Sequence, residues 1–221
     1  MGKTIEIRDP IHGFIVLDEW ERDIVNHWVF QRLRRIRQLG LTDMVYPGAM
    51  HTRFEHSLGV MHVATYMFNE LISRKENKEA LMSEMRFDEQ GFERDRRILR
   101  IASLLHDIGH APFSHAAEEL MPSVPRSKNK YKHEDYSIKA ILFLMKDVIE
   151  DHPDNENCKI KVCEIADFIS GKSGFSRTFF WRDLLSGHLD ADRADYLLRD
   201  SYHTGVAYGE FDLPRLLKTL R

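Results

Sequence analysis

The run Leu104-Leu105-His106-Asp107-Ile108-Gly109-His110-Ala111-Pro112-Phe113-Ser114-His115 constrains this chain more than any other stretch. It sets three imidazoles and a carboxylate within ten residues, at the end of an apolar helical pattern. From Ile98 the apolar positions Ile98, Ile101, Ala102, Leu105 and Ile108 fall three and four apart, which is the buried stripe of a helix. Gly109 and Pro112 then stop it, so His106 and Asp107 sit on the last turn. Neighbours on a helix point about 100° apart, yet at a terminus that opens into a pocket both heads can converge on one small object. For an imidazole and a carboxylate that object is naturally a divalent cation. The alternative is that His106 and His110, four apart, merely stack on one helix face beside a capping Asp.

Two distant stretches supply the context for that choice, Arg53-Phe54-Glu55-His56-Ser57 and Asp190-Ala191-Asp192-Arg193-Ala194-Asp195-Tyr196. Both carry further donors of the same hard-to-borderline kind. With them stand Asp9-Pro10-Ile11-His12-Gly13, Phe30-Gln31-Arg32-Leu33, Gln38-Leu39-Gly40, Pro47-Gly48-Ala49, Leu58-Gly59 and His133-Glu134. In this order and spacing the sequence resembles the HD-domain phosphohydrolases. More narrowly it resembles the deoxynucleoside triphosphate triphosphohydrolase group, which includes the bacterial dGTPases and the SAM-and-HD-domain enzyme. The resemblance covers nearly the whole chain.

That resemblance implies an all-α fold, an HD-domain helical bundle with a small N-terminal β-hairpin. It implies one divalent metal ion held by His56, His106, Asp107 and Asp192. Mixed imidazole and carboxylate donors suit Fe, Mn, Ni, Co or Zn, and Mg less well. His110, His115 and His133 fall outside the ligand set, and imidazole moves protons near neutrality. They are expected to be catalytic, with Glu118 and Glu134 orienting them, although the family more often has Asp where Glu118 stands. Arg53 and Arg193 are the expected phosphate clamps; Arg193 replaces a Lys of the SAM-and-HD-domain enzyme. Tyr196 would pack on the sugar, while Gln38 and Asp200 would hold its 3′-hydroxyl. Gln31 and Arg34 match a guanine-nucleotide regulatory site of that enzyme, whereas Asn26 stands where an Asp belongs, so a nucleotide activator is a further expectation. The expected reaction converts a dNTP to deoxynucleoside and tripolyphosphate. The alternatives are another HD phosphohydrolase, such as a nucleoside monophosphatase or nucleotide phosphodiesterase, or a silent nucleotide-sensing or nucleic-acid-binding scaffold.

Length and charge bound the rest. With 221 residues, 43% of them hydrophobic, the chain can build one domain with a sizeable core. A net charge of −3 creates no global demand for a polyanion. Cys158 and Cys163 lie five apart without a CxxC motif, and a reducing, cytoplasmic setting is the default. No stretch approaches the ~20 apolar residues that span a bilayer, so no membrane partner is expected. Family members usually extend further, so residues 1–221 are expected to be one HD domain at the N-terminal part of a longer chain that forms a homo-oligomer.

In chain order, residues 4–8 and 14–17 read as a hairpin around a Pro/Gly turn. Helices follow at Asp18–Trp28 and Val29–Leu39, the second ended by Gly40. Its basic face (Arg32, Arg34, Arg35, Arg37) fits solvent or a subunit contact better than nucleic acid. A helix from Thr52 to Ile72 carries Arg53 and His56 on one face; His62, nearly two turns on, has no partner motif. Charge-dense residues 73–97 read as a mobile connection with a short helix. Ser114–Leu120 reads as a short helix, and Met121–Lys132, with Arg126, Lys128 and Lys130, as a basic loop kept for solubility rather than as a phosphate gate. Further helices run from His133 through Ile149, around Val162–Ile169, and over Phe179–Leu185. Asp190 caps a last long helix on which Asp192, Asp195, Tyr196 and Arg199 share a face.

Overall fold

The computed structural model describes residues 3–84, 86, 88–125, 127–171 and 177–220. Strands β1 (Ile5–Asp9) and β2 (Gly13–Leu17) pair antiparallel, from Ile5 opposite Leu17 to Asp9 opposite Gly13. The turn closes because Asp9 Oδ1 accepts the N–H groups of Ile11 and His12, each at 2.9 Å, and Gly13 takes φ 79°. Alternation then buries Ile15 and Leu17 and leaves Phe14 and Val16 outside. This small sheet matters because it delivers Asp9 and His12 to the interior.

Everything else among the described residues is helical or loop. The helices are α1 (Glu19–Asn26), α2 (Trp28–Gln31), α3 (Arg53–Ser73), α4 (Lys75–Glu84), α5 (Glu89–Leu105), α6 (His133–Leu144), α7 (Lys146–Glu150), α8 (Val162–Ser170), α9 (Asp183–Ser186), α10 (Ala191–Thr204) and α11 (Leu213–Leu217). Helix α3 is the central rod: Leu58, Val60, Met61, Val63, Ala64, Met67 and Phe68 are all buried, so apolar side chains face every direction. Helices α5 and α10 pack along it. The Phe68 and Trp181 rings meet at a tilt in that core, their centroids 4.3 Å apart. No described helix is long and apolar enough to cross a membrane.

The structure corrects four readings of the sequence. The helix expected over Val29–Leu39 ends much earlier: α2 stops at Gln31, a single 3-10 turn covers Arg32–Arg35, and Ile36 is extended. The backbone there pairs sideways instead, Gln38 N–H to His51 O at 3.1 Å and Arg53 N–H to Ile36 O at 2.9 Å. Nor do the arginines form a common solvent face. Arg32 donates to the carbonyls of Ile108 and His110, tying down the central run, and Arg34 lies over the Phe54 ring.

Residues 73–97, expected to be a mobile connection, are largely ordered helix. Asp88 caps α5 by accepting the Gly91 N–H at 2.6 Å. Arg97 and Arg100 reach Glu21, and Arg97 also reaches Asp18, so the charges clamp α1 to α5. The helix expected through Ile149 breaks at Met145 into α6 and α7. Of the expected basic loop, Arg126 lies outside the described residues.

Candidate metal centre

Three helix ends meet at one point. Helix α3 brings His56 on its first turn, the end of α5 brings His106 and Asp107, and the first turn of α10 brings Asp192. One donor atom each from His56, His106 and Asp107 lies within 4.8 Å of the other two. Asp192 Oδ1 lies 3.0 Å from His56 Nε2 and 3.8 Å from His106 Nε2.

The imidazoles are oriented for this. The contact of His106 Nδ1 with the Ser103 carbonyl at 2.8 Å puts the proton on Nδ1 and aims the Nε2 lone pair inward. That Nε2 is buried with no hydrogen-bond partner among the described residues, which is the state of a donor atom built for a cation. The carboxylates of Asp192 and Asp195 overcome burial and raise His56 to about 10. A proton on His56 thus supplies positive charge where a cation would supply it. Asp107 stays well below the usual carboxylate range, because His106 and Arg53 beside it outweigh its burial. Two neutral-capable imidazoles and two carboxylates fit a divalent ion of the Mn, Fe or Zn type.

Sequence reasoning did not assign a role to the residues behind His56. Its Nδ1 donates to Asp195 Oδ2 at 2.8 Å, and Asp195 also accepts from His12 Nε2 at 2.6 Å and twice from Arg199. Arg199 in turn reaches Asp9 Oδ2 at 2.8 Å. Burial opposes the charge on Asp195, but Arg199, His12 and His56 hold its carboxyl well below its ordinary value. A methyl group on Gly59 would lie 1.9 Å from Asp195 Oδ1, so glycine is what lets α10 close on α3 here. The shared face of Asp192, Asp195 and Arg199 was legible from spacing, whereas His12 lies 183 residues from Asp195 and no local signal links them.

Carboxylates behind a ligating His typically carry a 10- to 100-fold effect on metal affinity. Asp195→Asn should therefore weaken metal binding by roughly 10- to 100-fold in a competition titration against a chelator. A depressed folded-state pKa adds stability that is full above the unfolded value and fades as pH falls through the folded one. In chelated protein the stability gap between wild type and Asp195→Asn should accordingly shrink below about pH 4, and shrink again as pH rises from about 6.5 toward 10, where His56 gives up the proton that Asp195 helps it hold, as followed by denaturant unfolding at each pH.

Beside the first group lies a second. His110 stacks on His133 at 3.8 Å, and His115 meets both edge-on. Glu118 Oε1 accepts from Nδ1 of His133 at 2.5 Å and of His115 at 3.2 Å, and Glu134 lies 3.4 Å from His133 Nδ1. Asp107 Oδ1 stands 3.4 Å from His110 Nε2 and 3.9 Å from His133 Nε2, between the two groups. Burial pushes His110 down to about 4 despite Asp107, so it is neutral at pH 7. His115 is largely exposed, whereas His133 is half-buried. The turn that joins them passes Phe113 and Ser114 at positive φ and brings the Ser114 hydroxyl to Arg53, whose other nitrogen donates to Asp107.

The remaining expected residues divide. Gln38 and Asp200 are buried together with His51 between them, and Tyr196 is half-buried one turn before Asp200. Arg193 does not join: it is exposed and donates to the His188 carbonyl at 3.0 Å, because adjacent helix positions diverge and Asp192 takes the inward one. Lys132 and Arg182, which the sequence reading did not assign, line instead a cavity of about 340 Å³ together with His106, Asp107, His133 and Asp192. Gln31 is satisfied internally by Val25 O and Arg34 Nε.

A helical bundle with His and Asp donors converging from three helices defines a class, and the comparisons agree. The HD domain family model matches residues 53–200, and the chain belongs to that family. It is 41% identical over 218 residues to an uncharacterized protein of Methanocaldococcus jannaschii, covering 97% of this chain and 37% of that one. It is 36% identical to the deoxynucleoside triphosphate triphosphohydrolase SAMHD1 homolog of Dictyostelium discoideum (90% and 36% covered). Against deoxynucleoside triphosphate triphosphohydrolase SAMHD1 of Homo sapiens it is 34% identical (97% and 36% covered). A crystal structure of a hypothetical protein from Aquifex aeolicus superposes with a TM-score of 0.76 at 33% identity, over 99% of this chain and 52% of that one. The chain thus spans between a third and just over half of the length of these relatives.

Proposed function

We propose that this HD-domain protein is a metal-dependent phosphohydrolase that converts a deoxynucleoside triphosphate to deoxynucleoside and tripolyphosphate. The observation that carries the metal-dependent part is the convergence of His56, His106 and Asp107 with an orphaned, inward-facing His106 Nε2. Support for the dNTP comes from relatives that bear a triphosphohydrolase name, those of Dictyostelium discoideum and Homo sapiens among them.

A bound divalent ion would act as a Lewis acid on a phosphate oxygen and on water. The protein's own groups do the rest. Arg53, buried against Asp107, places a fixed positive charge beside the site. As water attacks the α-phosphorus and the bond to O5′ breaks, O5′ needs a proton. His115 and His133, both hydrogen-bonded to Glu118, would hold and move it. Gln38 and Asp200 would hold the 3′-hydroxyl, and Tyr196 would lie against the sugar, where a packed ring excludes a 2′-hydroxyl.

His115→Ala should retain the metal and lose rate by about 10²- to 10⁴-fold, the range for a proton-transfer group; loss of metal in that variant would move His115 into the ligand set. The reading as a whole is tested by elemental analysis of the purified protein, then incubation with each of the four dNTPs and phosphorus NMR of the products. Tripolyphosphate supports it. Pyrophosphate or orthophosphate as first product would replace it with a phosphodiesterase or phosphatase. Adding GTP or dNTPs while following assembly tests whether a nucleotide activates the chain through Gln31 and Arg34.

A further inference from the structure

His51 is a residue that neither the motifs nor the metal centre explains. Its side chain is fully buried, two residues before Arg53. Nε2 donates to Asp200 Oδ1 at 2.8 Å, the main-chain carbonyl accepts from Gln38 N–H at 3.1 Å, and the ring stacks on His203 with centroids 4.6 Å apart. The position follows from the sideways pairing of residues 36–38 with 51–53, in which Arg37 bridges Thr52. One residue therefore touches both Gln38, through the backbone, and Asp200, through the ring.

The polar atoms around it are incompletely matched. Gln38 Oε1, His51 Nδ1 and His203 Nε2 are buried without a hydrogen-bond partner among the described residues. Folded interiors leave few such atoms unpaired, and three on His51 and the two residues it touches mark a place where a polar group from elsewhere belongs. With Oδ1 of Asp200 engaged by His51, Oδ2 is the oxygen that can accept from a hydroxyl. Burial and the neighbouring His51 ring lower the pKa of His203.

We propose that His51 is the positioning residue of a hydroxyl-reading pocket, holding the Asp200 carboxylate and the Gln38 main chain in the register that accepts a 3′-hydroxyl of deoxyribose. It thereby sets discrimination against sugars that lack that hydroxyl. This rests on the dNTP reading above.

The test compares kcat and KM for a dNTP and its 2′,3′-dideoxy analogue in the metal-loaded 221-residue chain, for wild type, His51→Ala and His51→Gln, with metal content measured in parallel. A site built to bond a hydroxyl rejects the analogue without it strongly, by ~10²-fold or more in kcat/KM. His51→Ala should reduce that ratio at least about tenfold, mainly through KM for the hydroxyl-bearing substrate and with metal content unchanged. His51→Gln, whose amide nitrogen can donate from the place of Nε2, should restore most of it. A ratio unaltered in His51→Ala while both rates fall, or no preference in wild type, overturns the proposal. If His51→Ala does not fold, His51→Phe, which keeps the ring but not the donor, Asp200→Asn and their double variant carry the test, and the two changes must be non-additive in the ratio. Should no dNTP be hydrolysed, the hydrolase reading fails separately, and calorimetry of deoxynucleoside against dideoxynucleoside binding decides for the pocket. A wild-type preference for the hydroxyl that His51→Ala abolishes sustains it; equal or absent binding overturns it.

Discussion

Asp107→Ala should lose metal and turnover together. Its carboxylate is the anion that both histidine groups share: Oδ1 stands 3.6 Å from His106 Nε2 and 3.4 Å from His110 Nε2, while Oδ2 faces His56 Nε2 at 3.8 Å and pairs with Arg53. Removing it withdraws one donor from the metal group and leaves the buried guanidinium of Arg53 without its carboxylate. Breaking a buried ion pair from one side costs about 3–5 kcal/mol, so the alanine variant should also be less stable. Asp107→Asn keeps the volume and an oxygen to which Arg53 can donate, so it should lose metal with a smaller loss of stability. Both variants should bind little metal by elemental analysis and hydrolyse dNTPs at least ~10³-fold more slowly than wild type, since the Lewis acid and the charge that positions the relay go together. A metal-free Asp107→Ala protein with ordinary turnover would contradict the assignment of this centre as catalytic.

Gly109→Ala should be nearly as severe without removing any functional group. A Cβ at residue 109 would lie 2.2 Å from the Ser137 nitrogen, 2.3 Å from the His133 carbonyl oxygen and 2.7 Å from the Tyr136 carbonyl carbon. All three are backbone atoms of the first turns of α6, which cannot swing away as a side chain could. Either α6 retreats and carries His133 with it, or the turn carrying Asp107 and His110 deforms. Overpacking of this kind costs at least about 2 kcal/mol, and a displacement near 1 Å of a reacting group can cost ~10²-fold in rate. Denaturant unfolding and turnover of the folded fraction read the two effects. Ser137→Ala is the milder comparison. It deletes the hydroxyl that accepts from Gly109 N–H at 2.9 Å and donates to His106 O at 2.8 Å, for a loss of about 1–3 kcal/mol. If Gly109→Ala proves as stable and active as wild type, the close contact of the central turn with α6 is wrong.

Much of this site could be read from residue order. Apolar spacing located α3 and the second half of α5, the Asp190 cap and a polar stripe located α10, and side chains three and four apart on one helix necessarily share a face. Arg53 with His56, and Asp192 with Asp195 and Arg199, therefore belonged together before any coordinates. The errors arose where local pattern met a competing partner. Residues 36–39 continue a helical periodicity, yet their backbone groups bond to residues 51–53 instead. The charges of residues 89–100 look like solvent, yet Arg97 and Arg100 find Glu21 on α1. The resemblance made Arg193 an expected phosphate clamp, but the helix that points Asp192 inward turns its neighbour outward.

Taken alone, the order of residues determined which side chains this protein can offer to a cation and to a phosphate, because helical repeat and terminator residues act over one or two turns. Only the folded molecule decided which of them meet. His12 finds Asp195 across 183 residues, and His51 finds Asp200 across 149. Such pairs form because α3, α5, α10 and the hairpin bury a common core, and burial obliges each enclosed charge or polar atom to take whatever partner the packing brings within reach.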